Sequence, residues 1–180
     1  MKTSFILAAG LLAALNAQAH IVLEQRTAEA GSYYKATFML THGCDGSPTR
    51  EVKVTLPEGF QRARPQPKPG WTLETQSEKL AKPYETHGKT ITEDVRVVTW
   101  RGGPLLDAHY DELIIMGRLP ATPGKIYFKV EQVCEKGRHD WVAIPEPGKT
   151  IRDYKEPAAE LTLTPRAEPA AAPATVHKHE

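Results

Sequence analysis

Hydrophobic and polar residues alternate with a period of two along much of this chain. Residues 34–40, for example, read Tyr-Lys-Ala-Thr-Phe-Met-Leu. Successive side chains of a β-strand point to opposite faces, so this pattern predicts strands with one buried face. No window has the period of an amphipathic helix. The predicted strands are 34–40, 52–56, 95–100, 112–118, 125–134, 139–144 and 159–164.

Turn-forming residues separate the predicted strands, as in Pro57-Glu58-Gly59 and Gly102-Gly103-Pro104. Glycine and proline at such places favour turns over continued strands. Many short strands at regular spacing, with two cysteines and 15 prolines, are typical of an antiparallel β-sandwich. We therefore predict an all-β domain of immunoglobulin-like architecture over residues 20–164.

The first nineteen residues have a different character. They contain a basic residue at Lys2, an apolar run over residues 5–15 and the sequence Ala17-Gln18-Ala19. These are the features of a secretory signal peptide. The apolar run is too short for a transmembrane helix, which needs about 20 apolar residues. We expect residues 1–19 to be removed by cleavage between Ala19 and His20, and the mature protein to be periplasmic or otherwise secreted.

The other end of the chain, residues 165–180, is rich in alanine and proline and closes with His177-Lys178-His179-Glu180. Such a composition buries too little apolar surface to fold, so we predict a disordered tail. The two tail histidines fit either a metal-collecting segment or a simply solvated one.

Charge and cysteine content narrow the function further. The chain has 23 basic and 22 acidic side chains, a balance that argues against a nucleic-acid partner. In an oxidising compartment a lone pair of cysteines favours a disulfide, so we expect Cys44 to bond Cys134. That bond would draw the segment containing His42 toward the segment that leads to Trp141.

Cleavage before His20 would make it the first residue of the mature protein. Its free α-amine and its imidazole Nδ1 could then chelate one metal ion together. A second imidazole or a carboxylate would complete a planar, nitrogen-rich set, which suits Cu(II). The alternative interpretation is that cleavage exposes a histidine by coincidence.

Several segments resemble the YcnI-like copper-binding domain family of bacterial exported proteins. They are His20-Ile21-Val22-Leu23-Glu24, the run Thr-His-Gly-Cys-Asp-Gly-Ser-Pro-Thr at 41–49, Pro-Lys-Pro-Gly-Trp at 67–71, Leu119-Pro120, and Val133-Cys134-Glu135 followed by Trp141. The resemblance covers nearly all of residues 20–164. It implies a β-sandwich that binds copper outside the cytoplasm. It also implies a histidine brace built from one histidine, a carboxylate ligand and a nearby tryptophan.

The resemblance assigns His20 to the brace and Trp141 to the tryptophan near the metal. The segment in which the carboxylate is expected carries His42 instead, so we predict a site with two histidines that binds one Cu(II) ion. Trp141 could equally be an ordinary core residue, because tryptophan buries a large apolar area.

Three further side chains are alternative ligands. Asp45 and Glu24 could supply the oxygen ligand, Glu24 because it leaves the same strand face as His20 if the alternation holds. His139 shares a strand face with Trp141 and could be a third ligand or an exposed strand residue. His87 and His109 lie in polar, loop-like sequence and are weaker candidates.

The function predicted from these features is copper storage, trafficking or delivery, with copper-delivery proteins or a membrane copper transporter as partners. We expect no enzymatic activity, since the sequence has neither a G-x-S-x-G nor an H-E-x-x-H motif. Copper-dependent polysaccharide cleavage would need a stripe of exposed aromatic residues that the sequence does not indicate. The alternative function is a metal-free binding or adhesion module that uses the proline-rich segment 62–70 and Trp71.

Overall fold

The computed structural model describes residues 20–167, so the predicted signal peptide and almost all of the predicted tail lie outside the described residues. Its regular elements are strands and one short 3-10 helix, Ile151–Asp153. Within residues 20–167 no helix is long and apolar enough to cross a membrane. The strands are β1 (Val22–Leu23), β2 (Thr27–Glu29), β3 (Tyr33–Leu40), β4 (Thr49–Thr55), β5 (Gln61–Pro65), β6 (Trp71–Thr86), β7 (Lys89–Leu105), β8 (Asp111–Arg118), β9 (Gly124–Cys134), β10 (Arg138–Trp141) and β11 (Ala159–Thr164).

The strands form two sheets. The smaller sheet has the order β1-β3-β8-β5, and the larger has the order β2-β11-β9-β4-β7-β6, with β10 also paired to β9. Neighbouring strands are antiparallel except β2 and β11, which are parallel. The arrangement confirms the predicted antiparallel β-sandwich.

The inward faces of the two sheets share one hydrophobic core. Its centre contains fully buried aromatic residues. Phe128 of β9 packs edge-to-face against Phe38 of β3 and against Phe60, with ring centroids 5.5 Å apart in both pairs. Because Phe38 and Phe128 belong to different sheets, this contact joins the two layers. Aromatic pairs of this kind add about 0.5–1.5 kcal/mol each beyond their burial.

All the segments predicted as strands from alternation contain strands, although only residues 159–164 have the predicted bounds. The predicted strand 95–100 is part of the much longer β7, which forms a hairpin with β6. The predicted strand 139–144 ends at Trp141, after which Ala143 forms an isolated bridge with Pro157. The pairing of β10 with β9 therefore ends at Trp141.

The proline-rich segment 62–70 is partly a strand and partly an exposed connection. Its first part lies in β5, which pairs with β8 at the edge of the smaller sheet. Proline is tolerated there because an edge strand leaves part of its backbone unpaired. Trp71 is partly buried and packs against the core rather than projecting from the surface. The proline-rich segment remains at the surface, with Gln66, Pro67 and Pro69 exposed, so only Trp71 differs from what the adhesion alternative expected.

One edge of β9 brings distant parts of the chain together. The first half of that edge pairs with β11, and the second half, Val130 to Val133, pairs with β10. The opposite edge of β9 pairs with β4. The turn before β4, the strand β10 and the loop before β11 are therefore held around the same end of β9.

Candidate metal centre

Trp141 is at the centre of a cluster of aromatic rings. It is only 4% exposed. Its ring centroid lies 5.6 Å from that of His20, 6.2 Å from that of His42 and 4.9 Å from that of His139. The rings of His42 and His139 are 5.9 Å apart. We call these four residues the histidine–tryptophan cluster.

His20 enters this cluster from the segment that leads into β1. The burial of the segment alternates: Ile21 and Leu23 are buried in the core, while His20 is half-buried on the opposite side. Apolar residues on one face thus anchor the segment and direct the imidazole to the other face. A cavity of about 200 Å³ lies beside it, lined in part by His20, Arg26 and Pro157.

His42 lies in the turn between β3 and β4. Its Nδ1 is 2.5 Å from the carbonyl oxygen of Gly43, and the Gly43 N–H donates to the Asp107 carboxylate at 2.8 Å. A Cβ atom at Gly43 would lie 1.9 Å from the carbonyl oxygen of Ser47. Glycine is therefore required for the turn to close as tightly as it does.

The predicted disulfide between Cys44 and Cys134 is present and spans a sequence separation of 90 residues. It joins the His42 turn to the last residue of β9. Backbone hydrogen bonds in both directions between Cys44 and Ser47 close the turn on its other side. The disulfide therefore holds His42 near β10, as the sequence analysis expected.

A buried glutamine supports the cluster from below. Gln132 of β9 is completely buried, and its Oε1 accepts a hydrogen bond from the Trp141 indole at 3.2 Å. Its Nε2 donates to the backbone carbonyl of His42 and to the Thr49 hydroxyl, both at 2.8 Å. One side chain thus links the tryptophan to the backbone of a candidate ligand.

The loop between the 3-10 helix and β11 supports the cluster from the side. Glu156 Oε1 lies 2.9 Å from His139 Nδ1, and its other oxygen accepts from the Asp140 N–H at 3.1 Å. The preceding residue, Lys155, forms a hydrogen bond with the His20 imidazole through its backbone. Consecutive loop residues therefore contact two of the three histidines.

The pKa of His20 is lowered from its ordinary value. Burial is the largest cause, followed by the charges of His42 and Arg26, and the backbone hydrogen bond with Lys155 acts in the opposite direction. A lowered pKa favours the neutral imidazole, which is the form that binds metal ions.

The two predicted carboxylate ligands lie at exposed positions. Asp45 is at the tip of the turn with Gly46, and both have positive φ values, 49° and 84°. Glu24 follows the alternation predicted for it, yet its carboxylate is exposed and its charge acts on Tyr34 and Tyr110. His87 is at the tip of the β6–β7 hairpin beside Arg62. His109 is in the loop between β7 and β8.

Sequence reasoning missed Gln132, Glu156 and Asp107. A signal for Gln132 was available: it occupies an inward position of β9 between the buried residues Val130 and Cys134, where an apolar side chain is expected. A buried polar group needs hydrogen-bond partners, so its position alone suggested a polar network. Glu156 and Asp107 lie in loops, and no local pattern marks them.

The donor atoms of the cluster fit a nitrogen-preferring ion. Imidazole is a ligand of intermediate softness that suits Cu(II), the strongest binder of the divalent series. The Nδ1 atoms of His42 and His139 each have a hydrogen-bond partner. Histidine ligands of metal ions are typically oriented by such a hydrogen bond at the nitrogen that does not bind the metal. Within the described part of the chain, no three His, Cys, Asp or Glu side chains form a group ready to hold a metal ion. Binding would therefore require rotation of the imidazoles toward a common point.

Comparison with solved structures identifies the fold class of this protein. The chain is similar to a crystal structure of an uncharacterized protein from Nocardia farcinica that has an immunoglobulin-like fold. The two share 23% sequence identity and a TM-score of 0.61, over 80% of this chain and 97% of the other. The likeness confirms the predicted immunoglobulin-like architecture. No curated protein is significantly similar in sequence.

Residues 20–163 match the family described as a domain of unknown function, DUF1775. The chain therefore belongs to this family. DUF1775 is the YcnI-like family, so the resemblance inferred from the sequence motifs is confirmed.

Proposed function

We propose that this protein is an exported copper-binding protein whose mature N-terminal histidine chelates Cu(II). In this proposal the signal peptide is cleaved before His20, and the α-amine and imidazole of His20 bind one ion together with the His42 imidazole. The protein would store, carry or deliver copper in the periplasm, as a copper chaperone rather than an enzyme.

The observation that carries the proposal is the gathering of three imidazoles around a buried indole. His20, His42 and His139 come from separate parts of the chain, yet each ring centroid lies between 4.9 and 6.2 Å from that of Trp141. All three imidazoles are half-buried, so bringing them together costs desolvation whenever they are charged. A shared ligand that binds nitrogen is a simple explanation.

The surroundings of the cluster also support this proposal. The buried, apolar ring of Trp141 would exclude water from one side of a bound ion. When bound, copper would supply a divalent charge that holds the three chain segments together. The partners expected for such a protein are copper-delivery proteins or a membrane copper transporter.

The test is a Cu(II) titration of mature protein whose free His20 amine is verified by mass. The control retains one extra residue, as Met-His20, so that the first histidine nitrogen is an amide. We expect tight one-to-one binding in the mature protein only, with quenching of tryptophan fluorescence and several nitrogen couplings by electron spin resonance. Equal binding in both samples, or none in either, would remove the copper proposal.

A second pair of variants tests the role of His42. His42→Ala should weaken binding and reduce the number of nitrogen couplings. His87→Ala is the matched control, because His87 lies at the tip of the β6–β7 hairpin. Identical spectra for the two variants would assign the ligand to another residue, such as Asp45 or Glu24.

A further inference from the structure

We infer that His139 is a third nitrogen ligand of this copper centre and that Glu156 is the residue that positions it. The inference rests on the proposed function and extends it in one respect. It names a ligand that replaces the exposed carboxylates of Asp45 and Glu24, and a loop residue that prepares this ligand for the metal.

The direction of one hydrogen bond is the first step. An ionised carboxylate can only accept hydrogen bonds, so the 2.9 Å contact between Glu156 Oε1 and His139 Nδ1 places the ring proton on Nδ1. In the neutral imidazole the lone pair is then on Nε2. In this neutral form, His139 can bind a metal through Nε2.

Second, hydrogen bonds fix the orientation of Glu156 itself. Its other carboxylate oxygen accepts from the Asp140 N–H at 3.1 Å. The backbone of Ala143 donates to the Glu156 carbonyl at 3.1 Å and accepts from Ala158 at 2.8 Å. The loop is thus tied to the chain that continues from β10. Because both the carboxylate and the backbone of Glu156 are hydrogen-bonded, its side chain can hold the His139 ring in one orientation. A mobile surface carboxylate could not.

Third, the His139 ring lies at a distance from His42 that one metal ion can bridge. A metal–nitrogen bond of about 2 Å places each imidazole centroid about 3 Å from the ion, so two rings on one ion lie up to about 6 Å apart. The centroids of His42 and His139 are 5.9 Å apart. The His139 ring also lies against Trp141, with an angle of 33° between the planes. Both contacts place His139 beside the ligands already proposed.

The same loop also contacts His20, through the backbone of Lys155. Neighbouring residues of one loop therefore support two imidazoles of the centre. This arrangement resembles the outer shell of many metal sites, in which a carboxylate or a backbone carbonyl orients each histidine.

The experiment compares copper binding by mature wild type, His139→Ala, Glu156→Gln and the control Glu146→Gln. Glu146 is an exposed carboxylate that pairs with Lys149 near the start of the same loop region. Removing an outer-shell partner commonly lowers metal affinity by about 10- to 100-fold. We expect a loss of that size in Glu156→Gln, a larger loss with one fewer nitrogen coupling in His139→Ala, and no change in Glu146→Gln.

A second readout needs no copper. Nitrogen NMR of the metal-free protein reports which ring nitrogen of His139 carries the proton. We expect Nδ1–H in the wild type and a shifted tautomer balance in Glu156→Gln. Circular dichroism and urea unfolding of each variant confirm that it is folded. A wild-type His139 protonated on Nε2 would overturn the positioning role.

The outcomes separate this inference from the proposed function. If wild type binds copper through His20 and His42 while His139→Ala keeps the same affinity and spectrum, the inference is wrong and the proposed function stands. If Glu156→Gln alone leaves affinity unchanged, the positioning role is wrong. If mature wild type binds no copper, both are wrong.

Discussion

Replacement of Gln132 by leucine tests whether the buried polar network holds the cluster together. The side chain is fully buried and makes three hydrogen bonds, to Trp141, to the His42 carbonyl and to Thr49. Leucine has a similar volume, so Gln132→Leu removes these bonds without opening a large cavity. The change isolates the contribution of the polar network from that of packing.

The expected cost follows from the groups left behind. A typical intramolecular hydrogen bond contributes about 1 kcal/mol, and a buried partner left unsatisfied costs about 1–3 kcal/mol. Three partners lose their bonds in Gln132→Leu, and leucine regains part of this through its apolar surface. We therefore expect the free energy of unfolding to fall by about 3 kcal/mol.

Urea unfolding of the oxidised protein, followed by fluorescence and circular dichroism, measures this loss. Gln76→Leu is the matched control, because Gln76 is exposed on β6 and its substitution should cost less than about 0.5 kcal/mol. The slope of free energy against urea should stay the same in both variants. Equal stability of Gln132→Leu and Gln76→Leu would refute the argument that the network stabilises the fold.

Three further predictions concern stability. Replacing Cys44 and Cys134 by alanine should lower the free energy of unfolding by about 4 to 5 kcal/mol in the chain-entropy model, because the bond closes a loop of 90 residues; urea unfolding of wild type and double variant measures it. Gly43→Ala should cost about 1–3 kcal/mol in the same assay, because its Cβ would lie 1.9 Å from the Ser47 carbonyl; wild-type stability would contradict the tight turn. Burial and the Glu24 charge raise the pKa of Tyr34 to about 12, above its ordinary 10, so about 3 kcal/mol of stability present below pH 10 should disappear as the pH rises toward 12. Tyr34→Phe should lose less stability than the wild type between about pH 8 and about pH 11, where about half of the Tyr34 effect is reached. The loss that remains in the variant reflects Tyr84, Tyr110 and Tyr127, whose pKa values are also raised to about 12.

The parts of the fold that sequence analysis predicted are those with one buried face. Residues 159–164, for example, alternate between buried and half-buried along β11. By contrast, most of β6 is exposed on both faces, as in residues 74–79, so its sequence has no alternation to detect. The strands β1 and β2 have only two and three residues, too short for a period to appear.

Some residues of the candidate site could be predicted from the sequence and others could not. His20, His42 and Trp141 were predicted, because an expected signal-peptide cleavage site and a family resemblance point to them in the sequence. Glu156 was not, because its contact with His139 depends on how the loop before β11 returns to β10. Such a contact arises from tertiary packing between segments, and local sequence carries little information about it.

The sheet order also bears on when the centre can form during folding. His20 precedes β1, His42 lies between β3 and β4, and His139 lies in β10, so the cluster draws on both ends and the middle of the domain. Contacts between residues far apart in sequence form slowly, because long loops must close first. In a partly folded chain the three histidines are separate, and each would meet copper as an isolated imidazole. Under the proposed function, the nascent protein would have to complete its sandwich before it could discriminate between metal ions.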